Sequence, residues 1–485
     1  MSATELAAQV VCIGFEGTTG VDAPLERLAQ LGIRAVILFA RNAGPRSQIQ
    51  DLTSAVQSAL ADDAPALIGV DQEGGAVERL HDGVVALPSM MALGATHDVE
   101  LARRAGRRLG ADLRELGVNC DFAPVLDLAL EPRNTVIGTR AFGDDPRVVS
   151  QLGVAFARGL RESGVIAVGK HFPGHGGTDV DSHVALPEVD VDEATLRARD
   201  LVPFGDAIAA KIPALMTAHV VLRALDASGA ATFSAPLLGT LLRDELGFEG
   251  VVFSDCLEMA AAGTGAPAQA PRALAAGVDC LLVSHRLDVG EAIIAEVSRA
   301  VESGALAYER LAEAAARMRR LRGAIGAPDQ YHDDAQIGSE IARKAIHVLR
   351  GTVALAPRAP VTVVSFEAAE PASLSGALRR RGHKSEMMRV ALDPDDADLE
   401  LLAMVLRDLG DRQIVIVMRR AHLHERQADA VARLLSGAPD AILISAREPY
   451  DSALFAQARN VACTYNDTAV SIDALADVMT GAAAV

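Results

Sequence analysis

The chain has 485 residues, half of them hydrophobic and 23% charged, which is enough for two or three folded domains and excludes a disordered composition. Its 64 acidic residues against 46 basic ones give a net charge of −18. That balance argues against a nucleic-acid partner, because phosphate backbones require clustered Lys and Arg.

Five cysteines, Cys12, Cys120, Cys256, Cys280 and Cys463, are widely spaced and form no C-x-x-C pair. Neither a disulfide framework nor a zinc knuckle is expected, and the thiols read as small core hydrophobes. Met1 to Val11 lacks a basic stretch followed by an apolar one. No apolar run approaches the ~20 residues of a membrane helix. A cytoplasmic location away from membranes is the expectation. Trp is absent and aromatic residues total 3%, which favours a small pocket over a long aromatic-lined cleft.

Along the chain, short apolar runs alternate with amphipathic segments. The runs at 10–15, 35–39, 66–70, 118–126, 167–170, 214–219, 250–254 and 279–284 predict eight strands. Segments 48–60, 99–116, 147–163 and 193–210 predict helices between them. Continuously apolar strands alternating with helices imply a covered parallel sheet. Eight repeats in about 290 residues suit an α/β fold of the (β/α)8 barrel type. No G-x-G-x-x-G follows the first strand, so a dinucleotide cofactor lacks support and no cofactor is expected. After strand seven, Gly263, Gly265 and Pro267 interrupt the helical pattern, which resumes at 270–276.

Residues 323–329 read as a linker. The predicted organisation is a barrel over 1–326, a linker over 327–336 and a smaller three-layer α/β domain over 337–485. In that domain a helix is expected over 337–350, then strands at 361–366, 414–418, 441–445 and 461–465. His422-Leu423-His424-Glu425 reads either as a loop site or, more simply, as a solvated helix start.

A barrel carries its functional groups at the carboxyl ends of its strands. Those ends hold Asp71-Gln72-Glu73, Asp127, Lys170-His171, His219, Ser254-Asp255 and Ser284-His285. Unpaired buried charge is costly, so this many polar strand ends point to one polar pocket.

The segment after strand five is Lys-His-Phe-Pro-Gly-His-Gly-Gly-Thr-Asp-Val-Asp-Ser-His, residues 170–183. Pro173, Gly174, Gly176 and Gly177 forbid a regular helix and allow a tight loop. Asp181 and His183 share a face if the chain is extended, which permits a carboxylate–imidazole acid/base pair. An incidental loop histidine is the other reading. His171, His175, Asp179 and His183 recur every four residues, but such spacing converges on a metal only in a helix. No metal site is expected.

This segment resembles the K-H-F-P-G-H-G-x-T-x-x-D-S-H signature of bacterial β-N-acetylglucosaminidases in glycoside hydrolase family 3. Residues 70–75 (VDQEGG), 136–143 (VIGTRAFG) and 250–255 (GVVFSD) resemble further blocks of that family in the same order. The likeness spans roughly residues 8 to 325. The remainder is similar to the α/β sandwich domain of some members, including 445–450 (SAREPY).

The resemblance implies Asp255 as nucleophile, His183 as acid/base and Asp181 as its orienting partner. It implies that Asp71, Arg79, Arg140, Lys170 and His171 hold a small saccharide containing N-acetylglucosamine. Gly177, Ala76 and Cys256 depart from residues common in the family. The implied reaction is retaining, through two displacements. A β-glucosidase or β-xylosidase of the same family, a phosphorylase using phosphate in place of water, and a non-catalytic sugar-binding protein are the alternatives. Oligomeric state is not legible in the sequence.

Overall fold

The computed structural model describes residues 1–178, 186–263, 265–326, 334–366 and 373–482. These divide into two units. One comprises Met1–Glu73, Val77–Val85 and Asp98–Ala335; the other comprises Gly74–Ala76, Ala86–His97 and Gln336–Val485.

In the first unit all eight expected strands form. They are β1 (Val11–Gly14), β2 (Ala35–Leu38), β3 (Leu67–Val70), β4 (Cys120–Asp121), β5 (Ile166–Phe172), β6 (Ala214–Thr217), β7 (Val251–Phe253) and β8 (Leu281–Val283). They run parallel in sequence order, β8 pairs β1, and a bridge between Phe253 and Cys280 closes the ring. This is the barrel that the alternation predicts. Its interior is apolar, with Phe122 and Phe253 edge to face at 5.4 Å and Cys12, Cys120 and Cys280 buried as free thiols.

Two strands differ from expectation in extent. The fourth is formally two residues long because Pro124 has no N–H to donate. The chain still tracks its neighbour, since Val168 N and Lys170 N donate to the carbonyls of Ala123 and Pro124. The fifth extends to Phe172, so Lys170 and His171 lie within a strand. Its ladder with β6 slips between Gly169 and Phe172, where three steps on β5 oppose two on β6. Such an irregularity re-aims side chains. Lys170 and His171, adjacent in sequence, thereby both meet partners at the carboxyl end of the barrel.

The helices follow from local chemistry. Asp98 caps Val99–Glu115 by accepting from Leu101 N at 2.9 Å, and Leu101, Ala105, Leu109 and Leu113 form its buried stripe. Asp145 and Pro146 start Pro146–Glu162 in the same way. These two helices pack closely because Gly106 and Gly159 face the partner backbone. A Cβ on Gly106 would lie 2.2 Å from the Phe156 carbonyl oxygen. The helix expected over 193–210 is two helices, Glu193–Ala198 and Val202–Ala209. Pro203 belongs to the first turn of the second, where its missing N–H costs nothing, and its ring cannot follow a continuous helix.

The second unit is built on a six-stranded sheet. Its strands are β9 (His347–Arg350), β10 (Val361–Phe366), β11 (Ser385–Val390), β12 (Gln413–Met418), β13 (Ile442–Ser445) and β14 (Asn460–Cys463), in the order β9-β14-β13-β12-β10-β11. Of these six, only β9 is antiparallel to its neighbour. Val363, Val415 and Ile444 face a layer containing Ile346, Leu378 and Leu475; Val364, Ile416 and Leu443 face Val431 and Leu434. This is the three-layer arrangement expected.

Three corrections arise. The helix expected over 337–350 stops at Ala345, and His347–Arg350 pairs with β14 instead. A neighbouring strand satisfies that backbone, which local periodicity cannot foresee. The edge strand β11 has no counterpart among the strands expected from sequence. Its Glu386 and Arg389 are exposed, so it carries no continuous apolar run. Glu425 does begin a helix, Glu425–Gly437, but His422 ahead of it is not solvated. Its Nδ1 lies 2.7 Å from the buried Asp451.

Among the described residues, no helix is long and apolar enough to cross a membrane.

Candidate active site

The carboxyl ends of β3, β4, β5, β6 and β7 bring together the polar residues that the sequence placed there. After β3 the chain turns through Asp71, Gln72 and Glu73. Gln72 is buried and ties this turn down. Its N–H donates to Asp121, its Nε2 donates to the Leu80 carbonyl, and its Oε1 accepts from Arg79 N and Leu80 N. Arg79 is thus fixed by its backbone, with its guanidinium 6.0 Å from the ring of Phe39. Its Nε is buried with no hydrogen-bond partner among the described residues.

Lys170 is the hub of the β3 side. Its Nζ lies 2.8 Å from Asp71 and 2.6 Å from Glu73. Arg140, on the short turn Gly138–Arg140, grips both oxygens of Glu73 at 2.7 and 2.8 Å and donates to the Val136 carbonyl. Such a bidentate pair fixes orientation as well as charge. Burial opposes the charge on Glu73, but Arg140 and Lys170 outweigh it and hold its carboxyl below the usual carboxylate range. Burial likewise disfavours the Lys170 ammonium, and Asp71 and Glu73 reverse this, keeping it protonated.

On the neighbouring side, Asp127 is wholly buried. One of its oxygens accepts from His171 Nδ1 at 2.6 Å and from His171 N at 3.2 Å. The other accepts from His175 N at 2.7 Å. Burial raises its carboxyl, yet His171, His175 and these donors bring it below the ordinary value. The rings of His171 and His175 meet edge to face at 6.1 Å.

Asp255 follows β7 and retains partial exposure. Its N–H is directed to Thr217 Oγ1, and one carboxylate oxygen accepts from Cys256 N at 2.7 Å. Burial disfavours its charge; His219, His171, the Cys256 N–H and Lys170 together hold it below the ordinary aspartate range. His219 is itself fixed, donating from Nε2 to the Cys256 carbonyl at 3.1 Å, with Thr232 at Nδ1 and its ring stacked on Phe233. Its burial pulls its own pKa down. Glu258 accepts from His285 N at 2.8 Å and ties the loop after β7 to the end of β8.

Of the residues singled out in the sequence, Asp71, Lys170, Arg140 and His171 lie in this network, and Asp255 sits within electrostatic reach of it. Arg79 stands at its β2 and β3 edge. Asp181 and His183 lie outside the described residues. Glu73, Asp127, His175 and His219 belong to the same cluster, although sequence reasoning gives them no individual role. A signal exists for three of them, since Glu73, Asp127 and His219 are polar residues at predicted strand ends. Among the described residues no group of three His, Cys, Asp or Glu side chains is arranged to hold a metal ion.

A polar, charge-compensated cluster at the carboxyl end of a (β/α)8 barrel, with Asp71 and Asp255 both partly exposed, is the arrangement of a barrel enzyme. Comparisons with known proteins make this specific. The model of the glycosyl hydrolase family 3 N-terminal domain matches residues 8–321. A β-hexosaminidase of Thiobacillus denitrificans is 42% identical over 307 residues, covering 61% of this chain and 83% of that protein. One from Pseudomonas aeruginosa is 40% identical over 290 residues, covering 59% and 85%. The solved structure of a glycoside hydrolase family 3 β-N-acetylglucosaminidase from Paenibacillus sp. is 34% identical with a TM-score of 0.92, covering 100% of this chain and 98% of that one. The chain belongs to glycoside hydrolase family 3, and it is a hydrolase of the β-hexosaminidase type.

Proposed function

We propose that the protein removes terminal β-linked N-acetylglucosamine from small saccharides by a retaining double displacement. Asp255 attacks the anomeric carbon while His183, tuned by Asp181, protonates the leaving oxygen. The bond from carbon to that oxygen breaks as the bond to Asp255 forms. His183 then takes a proton from water, whose oxygen displaces Asp255 and restores the starting configuration. Asp71, Arg79, Arg140, Lys170 and His171 hold the sugar.

The observation that best supports this reading is the state of Asp255. It is partly exposed, accepts from Cys256 N and is near the Lys170 ammonium, and its carboxyl is held below the ordinary aspartate range. A carboxylate nucleophile needs that combination. The Glu73–Arg140–Lys170 network supports the binding role, since it holds two cationic donors rigidly at the carboxyl end of the barrel. We further read the protein as cytoplasmic and acting on fragments of recycled cell wall.

The test is hydrolysis of paired 4-nitrophenyl β-glycosides with and without a 2-acetamido group. Strong preference for the acetamido sugar, with the β-anomer released first, is expected. Equal or better turnover of the plain glucoside or xyloside would overturn the substrate assignment. The same assay with inorganic phosphate distinguishes hydrolysis, which yields free sugar, from phosphorolysis, which yields sugar 1-phosphate.

A further inference from the structure

The carboxylate of Asp127 is wholly buried and engaged on both oxygens. It accepts three hydrogen bonds, two on one oxygen from the ring and backbone of His171, one on the other from His175 N. A carboxylate can only accept here, so the donor at 2.6 Å must be His171 Nδ1–H. The proton is thereby committed to Nδ1. The other ring nitrogen, Nε2, has no hydrogen-bond partner among the described residues and is not among the buried unpartnered atoms.

We propose that Asp127 is a positioning residue: it locks His171 with its proton on Nδ1 and its ring fixed, so that Nε2 is the nitrogen offered to the sugar. The inference rests on the glycosidase reading, and it adds a residue that touches no substrate. The backbone bond makes the lock stiff. A turn of the ring about Cβ–Cγ would face a C–H toward Asp127 and lose the Nδ1 bond. The bond to His175 N extends the hold to the turn after Pro173. Replacing Asp127 by Asn would face an amide N–H either toward His171, where two donors already point, or toward His175 N. In the first case His171 must give up its Nδ1 proton and carry it on Nε2, which inverts what the ring offers.

The experiment combines ring 15N NMR with a double-mutant cycle. The His171 signals are assigned by their loss in His171→Ala. In the wild type, Nδ1 should be protonated at neutral pH; in Asp127→Ala, where no acceptor faces the ring, the fraction protonated on Nδ1 should fall. Asp127→Asn should lower kcat/KM by roughly 10- to 100-fold, by analogy with the outer partners that orient metal-bound histidines. The same change in a His171→Ala background should cost less than about twofold, because its effect passes through His171. An unprotonated Nδ1 in the wild type would overturn the proposal. So would a penalty of equal size in both backgrounds, which marks Asp127 as merely structural. If Asp127→Asn does not fold, Asp127→Glu is carried through the same cycle and decided by the same two results. A wild type inactive on every glycoside would instead refute the glycosidase reading, while the NMR arm would still decide the tautomer.

Discussion

Lys170 Nζ lies 2.6 Å from Glu73, and both side chains are at most 2% exposed. This pair joins β5 to the turn after β3 and sets the charge of the pocket. Removing one partner of a buried pair strands the other, typically at a cost of about 3–5 kcal/mol. Glu73→Ala should therefore lower the urea midpoint markedly, with a smaller loss for Glu73→Gln, which retains a hydrogen-bond acceptor. An unchanged midpoint in Glu73→Ala would show that Asp71 alone suffices for Lys170.

The same pair predicts a pH dependence. The Glu73 carboxyl is lowered in the folded state. Its stabilising contribution is present above its unfolded pKa, about 4.3, and disappears as pH falls toward the folded value. The slope of stability against pH below about 4 should be shallower in Glu73→Gln than in the wild type. Parallel curves would rule Glu73 out as a source of acid sensitivity.

If Asp255 acts as the proposed nucleophile, Asp255→Asn should reduce kcat by about 10³-fold or more while leaving the unfolding transition near that of the wild type. Near-normal turnover would move the nucleophile elsewhere.

At the opposite end of the barrel, Asp279 is fully buried beneath Arg243, Arg310 and Arg317, at 2.7, 2.7 and 3.1 Å. Asp279→Ala leaves three largely buried guanidinium groups facing one another. A loss of about 3–5 kcal/mol is expected from removing the partner of buried charge. KM of the protein that remains folded should not change, which thermal denaturation and kinetics on the same sample will report.

Gly106→Ala tests the helix pair. Its new Cβ would sit 2.2 Å from the Phe156 carbonyl oxygen, so the helices must part. Overpacking of this kind costs about 1–3 kcal/mol. A thermal midpoint equal to that of the wild type would mean the helices can separate freely.

The barrel was legible in one dimension, because strands buried on both faces must be continuously apolar and such runs recur eight times. Asp71, Lys170, His171 and Asp255 were legible too, since a charged residue ending an apolar run is conspicuous. How those charges are shared emerges only in three dimensions. Glu73 differs from Asp71 by being gripped from two directions, by Arg140 and Lys170, which are 67 and 97 residues away in sequence. Asp127 became the partner of His171 only through the pairing of β4 with β5. Strands β9 and β11 leave no local trace for a related reason: an edge strand need not be apolar, and its backbone is satisfied by a neighbour that no local pattern records. Hydrophobic periodicity belongs to neighbouring residues and can be read along the chain. Charge pairing depends on distance in space, which the chain fixes only when it closes the sheet.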